Sequence, residues 1–331
     1  MRIAVVIPAL NEAETIQSVI QKVPPRIAGS KDIHIIVVND GSSDQTDALA
    51  RQAGAIVVSH QHNQGVSKAI KTGIDTALSL RAEIMVNIDA DGQFDPADIE
   101  KLIHHLQQEK ADLVVGDRFT DPQTGKIRRP PHMPQSRYWG NRLVATFVNQ
   151  LCRIHLTDVS SGFRAYTYQA LLSLNLTDRI DYTQEMVLDL VSKKMIVSSV
   201  SVPVKYFPQR ESRVAHSLLI YSYETLKLIV RSFRDYKPLV FFVTVSLPFF
   251  LLSIFLGSIL LGQFFGYGLP TNHVVIRFWG VYCFTIAFFL WVIGFFADMI
   301  VRLRQNQEHL LYLHKRDYYG YRNHPSIVVN Q

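Results

Sequence analysis

Val86-Asn87-Ile88-Asp89-Ala90-Asp91-Gly92-Gln93 is the stretch on which the reading of this chain turns. An apolar run, Ile84 to Ile88, ends abruptly in two carboxylates spaced i and i+2, which is how a buried parallel strand delivers ligands to the edge of its sheet. Aspartates are acceptor-only oxygen ligands. A hard divalent cation held by one or two of them keeps positions open for the phosphates of a nucleotide, and Gln93 offers a third oxygen. The same residues are ordinary turn formers, and Asp95-Pro96 suits the start of a helix. Alone, Asp-x-Asp is a weak signal; its neighbours strengthen it.

From Ile3 to about residue 117, short apolar runs alternate with helical patterns, the signature of a parallel sheet with helices on both faces. Strands are predicted at Ile3 to Ile7, Ile33 to Val38, Ile56 to Val58, Ile84 to Ile88 and Leu113 to Val115. Helices are predicted at Ala13 to Lys22, Ser43 to Ala53, Val66 to Leu80 and Pro96 to Gln107. Most of these strands feed a polar cluster: Pro8-Ala9-Leu10-Asn11-Glu12, Asn39-Asp40-Gly41-Ser42-Ser43-Asp44, the Asp-x-Asp, and Gly116-Asp117-Arg118. Ligands of open α/β sheets bind at such strand ends, so the clusters imply one composite site.

Composition bounds the rest. The chain has 331 residues, 48% of them hydrophobic, more than a typical single domain, and its apolar excess is packed into one end. Cys152 and Cys283 are far apart in sequence without metal-ligand spacing, which suggests neither a disulfide framework nor a zinc site and fits a reducing compartment. The formal charge of +6 comes without a long Lys/Arg tract or an aromatic platform in the soluble part, so membrane lipid or an anionic substrate is a better partner than nucleic acid. The apolar run after Arg2 is too short for a signal sequence and reads as the first strand.

No Gly-x-Gly-x-x-Gly follows that strand and no P-loop pattern occurs, so a nucleotide would be held differently. Asp40 suits hydrogen bonds from a ribose or a uracil, and Gly41 lets backbone approach closely. Ser42, Ser43 and Asp44 are good caps for the following helix, and capping alone would explain the two serines. Asn63-Gln64-Gly65-Val66-Ser67-Lys68 opens the next helix, where free N–H groups and Lys68 suit a phosphate; a solvated lysine is the simpler alternative.

These clusters, followed by Thr157-Asp158-Val159-Ser160-Ser161-Gly162-Phe163-Arg164, occur in the order seen in family 2 glycosyltransferases with the GT-A fold. More narrowly, the set resembles polyprenyl-phosphate glycosyltransferases, the group that contains dolichol-phosphate mannose synthases and bacterial undecaprenyl-phosphate glucosyltransferases. The resemblance covers roughly residues 3 to 210, and the joint set is far more specific than any single motif. It implies a nucleotide sugar held by Pro8, Leu10, Asn11, Glu12, Asp40, Gly41, Lys68, Asp89, Ala90 and Asp91, Mg2+ or Mn2+ on Asp89, Asp91 and Gln93, and Asp158 as the catalytic residue. Asn39 stands where the family often has a first aspartate, so only Asp40 inherits that contact. The segment from Arg210 to Ser217 keeps Arg210 but lacks the glycine of the family's Arg-x-x-Gly-x-Ser-Lys pattern.

Residues 118 to 142 read as a long unstructured connection, with Pro130, Pro131 and Pro134 breaking any helix, and loops of that kind are usually functional or disordered. Its Arg118, Arg128, Arg129 and Arg137, with Arg210, are candidates for a clamp on an acceptor phosphate; contact with anionic headgroups is the alternative for any one of them. His60, His62, His104 and His105 read as surface residues. A strand is predicted at Gly162 to Tyr166 and a helix at Glu185 to Lys193. The resemblance puts a carboxylate near the sugar there, though a first-turn glutamate complementing the helix dipole explains Glu185 equally.

Leu218 to Arg234 has helical apolar spacing and suits a helix lying along a membrane surface. No Lys, Arg, Asp or Glu occurs from Pro238 through Ile276, and Leu239 to about Leu261 and Phe278 to Ala297 are each about the 20 residues that span a bilayer. Buried helices of a soluble domain are the alternative. The expected domains are therefore a catalytic domain at 1–214, juxtamembrane helices at 215–237, two spans at 238–301 and a tail at 302–331 that returns to water.

The reading is an inverting hexosyltransferase that moves glucose from UDP-glucose to undecaprenyl phosphate, at what the resemblance implies is a bacterial inner membrane, with a homo-oligomer left open. Transfer from GDP-mannose is the near alternative, and a non-catalytic nucleotide-sugar sensor that assembles membrane partners is the alternative of a different class. Arg231, Arg234 and Lys237 precede the first span, and Arg302, Arg304, Lys315 and Arg316 follow the second, whereas the connecting loop has only Arg277. The positive-inside rule then puts both termini and the catalytic domain in the cytoplasm. A cysteine introduced at Asn272 is expected to react with an impermeant thiol reagent only from outside the cell; labelling from the cytoplasmic side alone would contradict this topology.

Overall fold

Ile3, Ala4, Val5, Val6 and Ile7 are completely shielded from solvent, and a strand apolar on both faces must lie inside a sheet covered on both sides. The computed structural model describes residues 1–176, 182–206, 218–265 and 273–321, and places this run in β1 (Arg2–Ala9) near the centre of a seven-stranded sheet. The other strands are β2 (Asp32–Asn39), β3 (Ile56–Ser59), β4 (Ile84–Asn87), β5 (Leu113–Asp117), β6 (Arg164–Thr167) and β7 (Val197–Ser201). Their order is β3-β2-β1-β4-β6-β5-β7. The first helices are α1 (Ile16–Lys22), α2 (Thr46–Gln52), α3 (Val66–Ser79) and α4 (Ile99–Gln108). The core joins β1, β4 and β6 to α1 and α4 through Ile3, Val5, Val86, Ala165, Ile16, Ile20, Leu102 and Ile103.

Register decides where the polar clusters meet. β1 runs parallel to β2, ending with Ala9 opposite Asn39, and parallel to β4, with Val6 opposite Asn87. The turns after these three strands therefore open on one edge, at the point where strand order reverses around β1. β6 runs antiparallel between β4 and β5, with Arg164 opposite both Asn87 and Val115. An antiparallel strand begins where its neighbours end, so the segment preceding β6, Asp158 to Phe163, arrives at the same edge.

Three sequence expectations change. The connection after β5 is shorter than predicted, because α5 (Gln135–Cys152) begins directly after Pro134; a proline stops a helix that reaches it but suits the position from which one starts. Arg137 and Arg142 therefore sit on a helix. β7 was not predicted: every residue is half-buried and the strand lies at the sheet edge, so it lacks a clean apolar pattern. Pro96–Asp98 forms a separate 3-10 turn, capped by Asp95 through the Ala97 N–H, before α4 starts. α6 (Tyr168–Ser173) and α7 (Tyr182–Ser192) complete the α/β part.

Contacts divide the chain into two compact units, one of Met1–Thr225 with the residues from His309 onward, the other Leu226–Glu308. α8 (Leu218–Tyr236) leads to α9 (Pro238–Phe264) and α10 (His273–Tyr321). Pro238–Gly262 and Val274–Gly320 are long and apolar enough to cross a membrane, and large apolar side chains along them, such as Phe255, Leu261, Phe278 and Phe289, are exposed. α10 runs unbroken for 49 residues, about 70 Å at 1.5 Å per residue, and takes in the described part of the segment read as the tail. Within the first unit, Lys315 Nζ near its end donates to the Leu174 carbonyl (2.7 Å) and to Asn175 Oδ1 (3.1 Å).

Helix α3 lies so close to β1 that a Cβ on Gly73 would fall 2.3 Å from Val6 Cγ1. Gly73→Ala is expected to lower stability by about 1–3 kcal/mol, the usual cost of overpacking a core, with partial recovery when Val6→Ala is added. Thermal unfolding of the three proteins checks it; an unchanged midpoint for the single variant would contradict this packing.

Candidate active site

A cavity of about 300 Å³ opens at the shared strand edge, lined by Pro8, Leu10 and Glu12 after β1, Asp40 after β2, Asn63 and Gly65 before α3, and Asp89, Ala90 and Asp91 after β4. Its first wall is made by two loops bonded to each other. Asn11, in the left-handed region at φ 53°, accepts the Ser43 N–H on Oδ1 (2.8 Å) and gives its own N–H to Ser42 Oγ (2.9 Å). Glu12 N–H donates to Thr46 Oγ1 (2.8 Å) and Ala13 N–H to Asp44 Oδ2 (3.1 Å). The two serines, expected as caps, are thus spent on the neighbouring loop, and α2 starts only at Thr46.

Asp40 is nearly saturated. Its Oδ1 accepts the Gln64 N–H (2.9 Å) and faces His60 Nδ1 (2.7 Å), and its Oδ2 accepts the Gly65 N–H (2.8 Å). A carboxylate has about four lone-pair sites, so among the described residues Oδ2 keeps one for a ligand. His60 is corrected from a surface residue to an internal one: its side chain is 9% exposed, and its Nε2 meets Thr72 Oγ1 on α3 (3.0 Å). Gly41, at φ +76°, lets this turn touch the next loop, since a Cβ there would lie 2.6 Å from the His62 carbonyl carbon. Lys68 lies in the first turn of α3 and does not line the cavity.

The second wall carries the charges. Burial first, and then the neighbouring Asp91, push the Asp89 carboxyl up to about 7, against the opposing pull of Arg118, Arg137 and Arg164. Gly162 is pressed on it, for a Cβ there would lie 2.7 Å from each Asp89 oxygen. Asn87 Nδ2 holds the Gly162 carbonyl, while Asn87 Oδ1 is buried with no donor among the described residues. Arg164, fully buried, shapes the approach by donating at 2.7 Å to the carbonyls of Ser161, Thr183 and Val159. This arginine closes the Thr157 to Arg164 motif but was given no role from the sequence; its signal was a lone cation in the middle of an otherwise apolar Gly-Phe-Arg-Ala-Tyr run.

Asp158 is completely buried and gripped by Arg118 through Nε to Oδ2 (2.6 Å) and Nη2 to Oδ1 (3.0 Å), while the Ser160 N–H adds a bond to Oδ1 (2.9 Å). Both of its oxygens are thereby engaged within the protein. Arg118 Nη1 also reaches the Tyr206 hydroxyl (3.4 Å), and Arg137 stacks over the Tyr206 ring at 5.7 Å. These two cations converge; the other two do not. Arg128 pairs with Asp121 (2.7 Å) and Arg129 donates to the Met133 carbonyl (2.7 Å). Glu185 sits in the first turn of α7, beside Gln184, whose amide reaches Ser160 Oγ (3.0 Å). Arg210 lies outside the described residues.

No group of three or more His, Cys, Asp or Glu assembles among the described residues. Two carboxylates with oxygen donors alone fit a hard cation that completes its shell with diphosphate and water, and the buried Asp89 charge calls for a cation nearby. Gln93 does not line the strand-edge cavity but a neighbouring one of about 410 Å³, together with Asp91, which borders both, and with Glu14, Lys22 and Lys205.

The profile described as glycosyl transferase family 2 matches residues 4–174. A UDP-N-acetylglucosamine–dolichyl-phosphate N-acetylglucosaminyltransferase of Methanococcus voltae is 30% identical over 61% of this chain and 84% of its own. A polyprenol monophosphomannose synthase of Mycolicibacterium smegmatis is 28% identical over 65% and 80%. Among solved structures, glucosyl-3-phosphoglycerate synthase from Mycobacterium tuberculosis in complex with Mn2+, UDP and phosphoglyceric acid superposes with a TM-score of 0.52 at 22% identity, covering 70% of this chain and 77% of that one. At that identity the likeness speaks for the fold.

The contact between Gly162 and Asp89 makes the site sensitive to one methyl group. Gly162→Ala is expected to weaken Mn2+ binding by about 10–100-fold, the usual effect of disturbing the residues that orient a metal ligand, with secondary structure retained. Titration calorimetry with circular dichroism checks it, and unaltered affinity would show that Asp89 does not hold the ion.

Proposed function

We propose that this chain, which belongs to glycosyl transferase family 2, transfers a hexose from a nucleotide sugar, UDP-glucose in the first instance, to undecaprenyl phosphate with inversion. The observation that carries the reading is the convergence of Arg118 and Arg137 on Tyr206 within electrostatic reach of Asp89. It provides a cationic seat for a phosphate acceptor beside the candidate diphosphate site. Two helices of membrane-crossing length and relatives named for dolichyl-phosphate and polyprenol acceptors support a lipid-bound acceptor.

In this account the loops after β1 and β2 hold the nucleoside, and Asp40 contributes its remaining lone pair. Asp89 and Asp91 would hold Mg2+ or Mn2+, which when bound neutralises the charge of the departing diphosphate. Arg118 and Arg137 present a phosphate oxygen to the anomeric carbon. The new phosphate-to-carbon bond forms on one face as the bond to the nucleoside diphosphate breaks on the other. A phosphate monoester with a second pKa near about 6 is largely dianionic at neutral pH, so no strong base is required, and Asp158 keeps Arg118 aimed. Transfer from GDP-mannose uses the same parts, and a relative of Micrococcus luteus named as an undecaprenyl-phosphate mannosyltransferase, 27% identical over 53% of this chain, supports mannose as the alternative sugar.

Incubation of the purified chain with undecaprenyl phosphate and a panel of radiolabelled nucleotide sugars is expected to yield labelled lipid from UDP-glucose, lost in excess EDTA. Asp158→Asn is expected to lower kcat by roughly a hundredfold, the scale of a positioned electrostatic group, with nucleotide affinity kept. Label from GDP-mannose instead would reassign the donor. Absence of labelled lipid with every donor would sink the transferase reading in favour of a sensor.

A further inference from the structure

His60 is a buried titratable group that the proposed reaction leaves without a task. Its side chain is 9% exposed and that of Asp40 5%, whereas His62, two residues on, is exposed. Its backbone is fixed as well: the His60 N–H donates to the Asn39 carbonyl at 2.9 Å, one residue beyond the Asn39–Ser59 pair that ends the ladder of β2 and β3. The ring is thereby held beside the residue that follows Asn39, which is Asp40.

The two ring nitrogens have separate roles. An ionised carboxylate only accepts, so Nδ1 carries a hydrogen and donates it to Asp40 Oδ1 (2.7 Å). A neutral ring then has a bare Nε2, which accepts the Thr72 hydroxyl from α3 (3.0 Å). The Gln64 N–H fills the rest of Oδ1, and the Gly65 N–H takes one of the two positions on Oδ2. Three donors thus fix the carboxylate plane. The position left on Oδ2 belongs to a side chain that lines the strand-edge cavity with Asn63 and Gly65, a cavity that His60 itself does not line.

We propose that His60 is a positioning residue for nucleotide binding: its Nδ1–H holds the Asp40 carboxylate turned so that the open Oδ2 position meets an N–H or O–H of the bound nucleoside. The proposal rests on the reading of this cavity as the nucleotide site. Without the ring, a buried lone pair on Oδ1 loses its donor, and hydrogen bonds to charged groups are the costlier ones to lose. The carboxylate then turns to seek another partner, while the loop before α3 stays attached through Gln64 and Gly65.

The test reads calorimetric binding of UDP and GDP to the full chain with Mn2+ present, and uses two substitutions that each keep half of the ring. In His60→Asn the amide nitrogen stands where Nδ1 was and keeps a donor for Asp40; in His60→Gln it stands where Nε2 was and keeps only the Thr72 contact. His60→Ala and His60→Gln are expected to weaken nucleotide binding at least about tenfold, and His60→Asn and Thr72→Val to stay within about threefold of the wild type, with circular dichroism unchanged throughout. Affinity kept in His60→Ala, or lost alike in His60→Asn and His60→Gln, would overturn the proposal. A loss in Thr72→Val as large as in His60→Ala would also overturn it, leaving His60 as a packing partner of α3. Wild-type protein that binds neither nucleotide would overturn the nucleotide reading, and this proposal with it.

Discussion

A single antiparallel strand is the constraint on which the site depends. β6 enters the sheet between β4 and β5 with Arg164 level with Asn87 and Val115, and only that direction returns the chain to the edge where Asp89 ends its strand. Arg164 then folds residues 159 to 162 by binding carbonyls on both sides of the bend. Gly162 comes to rest on the Asp89 carboxylate, and Asp158 meets Arg118 in a bidentate pair. A buried ion pair adds little net stability, but losing one partner leaves an uncompensated charge at a cost of about 3–5 kcal/mol. The pair therefore fixes geometry more than it stabilises the fold.

The first half of this arrangement was legible in the sequence because it rests on local signals. Apolar runs ending in Pro8-Ala9-Leu10-Asn11-Glu12, Asn39-Asp40-Gly41 and Asp89-Ala90-Asp91 mark strands and the edge they share, and β1, β2 and β4 form there with boundaries within two residues. Strand direction leaves no such trace: four residues, Arg164 to Thr167, read the same in either sense. His60 was misjudged because its partners Asp40 and Thr72 are 20 and 12 positions away. α5 was hidden by three prolines that stand before its start. The helical continuation of α10 was hidden by charges that resemble a solvated tail, although residues spaced by a turn can face either water or protein.

The site divides its labour between rigid and adaptable parts. Asp40 and Asp158 have most of their oxygen capacity committed to the protein, so each positions something else: Asp40 the loop before α3, Asp158 the Arg118 guanidinium. Asp89 and Asp91 face the cavity. Burial and the proximity of Asp91 make the charged state of Asp89 costly, a cost that a bound cation would relieve. Preorganised charge of this kind is where transferases of charged groups gain most.

That account ties metal affinity to the protonation of one carboxyl. With Asp89 pushed up to about 7, protons compete with metal for the site below that pH and cease to above it. Mn2+ affinity of the full chain, measured without nucleotide by calorimetry from pH 5.5 to 8.5, is expected to rise about tenfold per pH unit up to about 7 and then level off. The rise should vanish in Asp89→Asn. Affinity flat across that range, or a rise that survives Asp89→Asn, would contradict the assignment of the strand-end aspartates as the metal site.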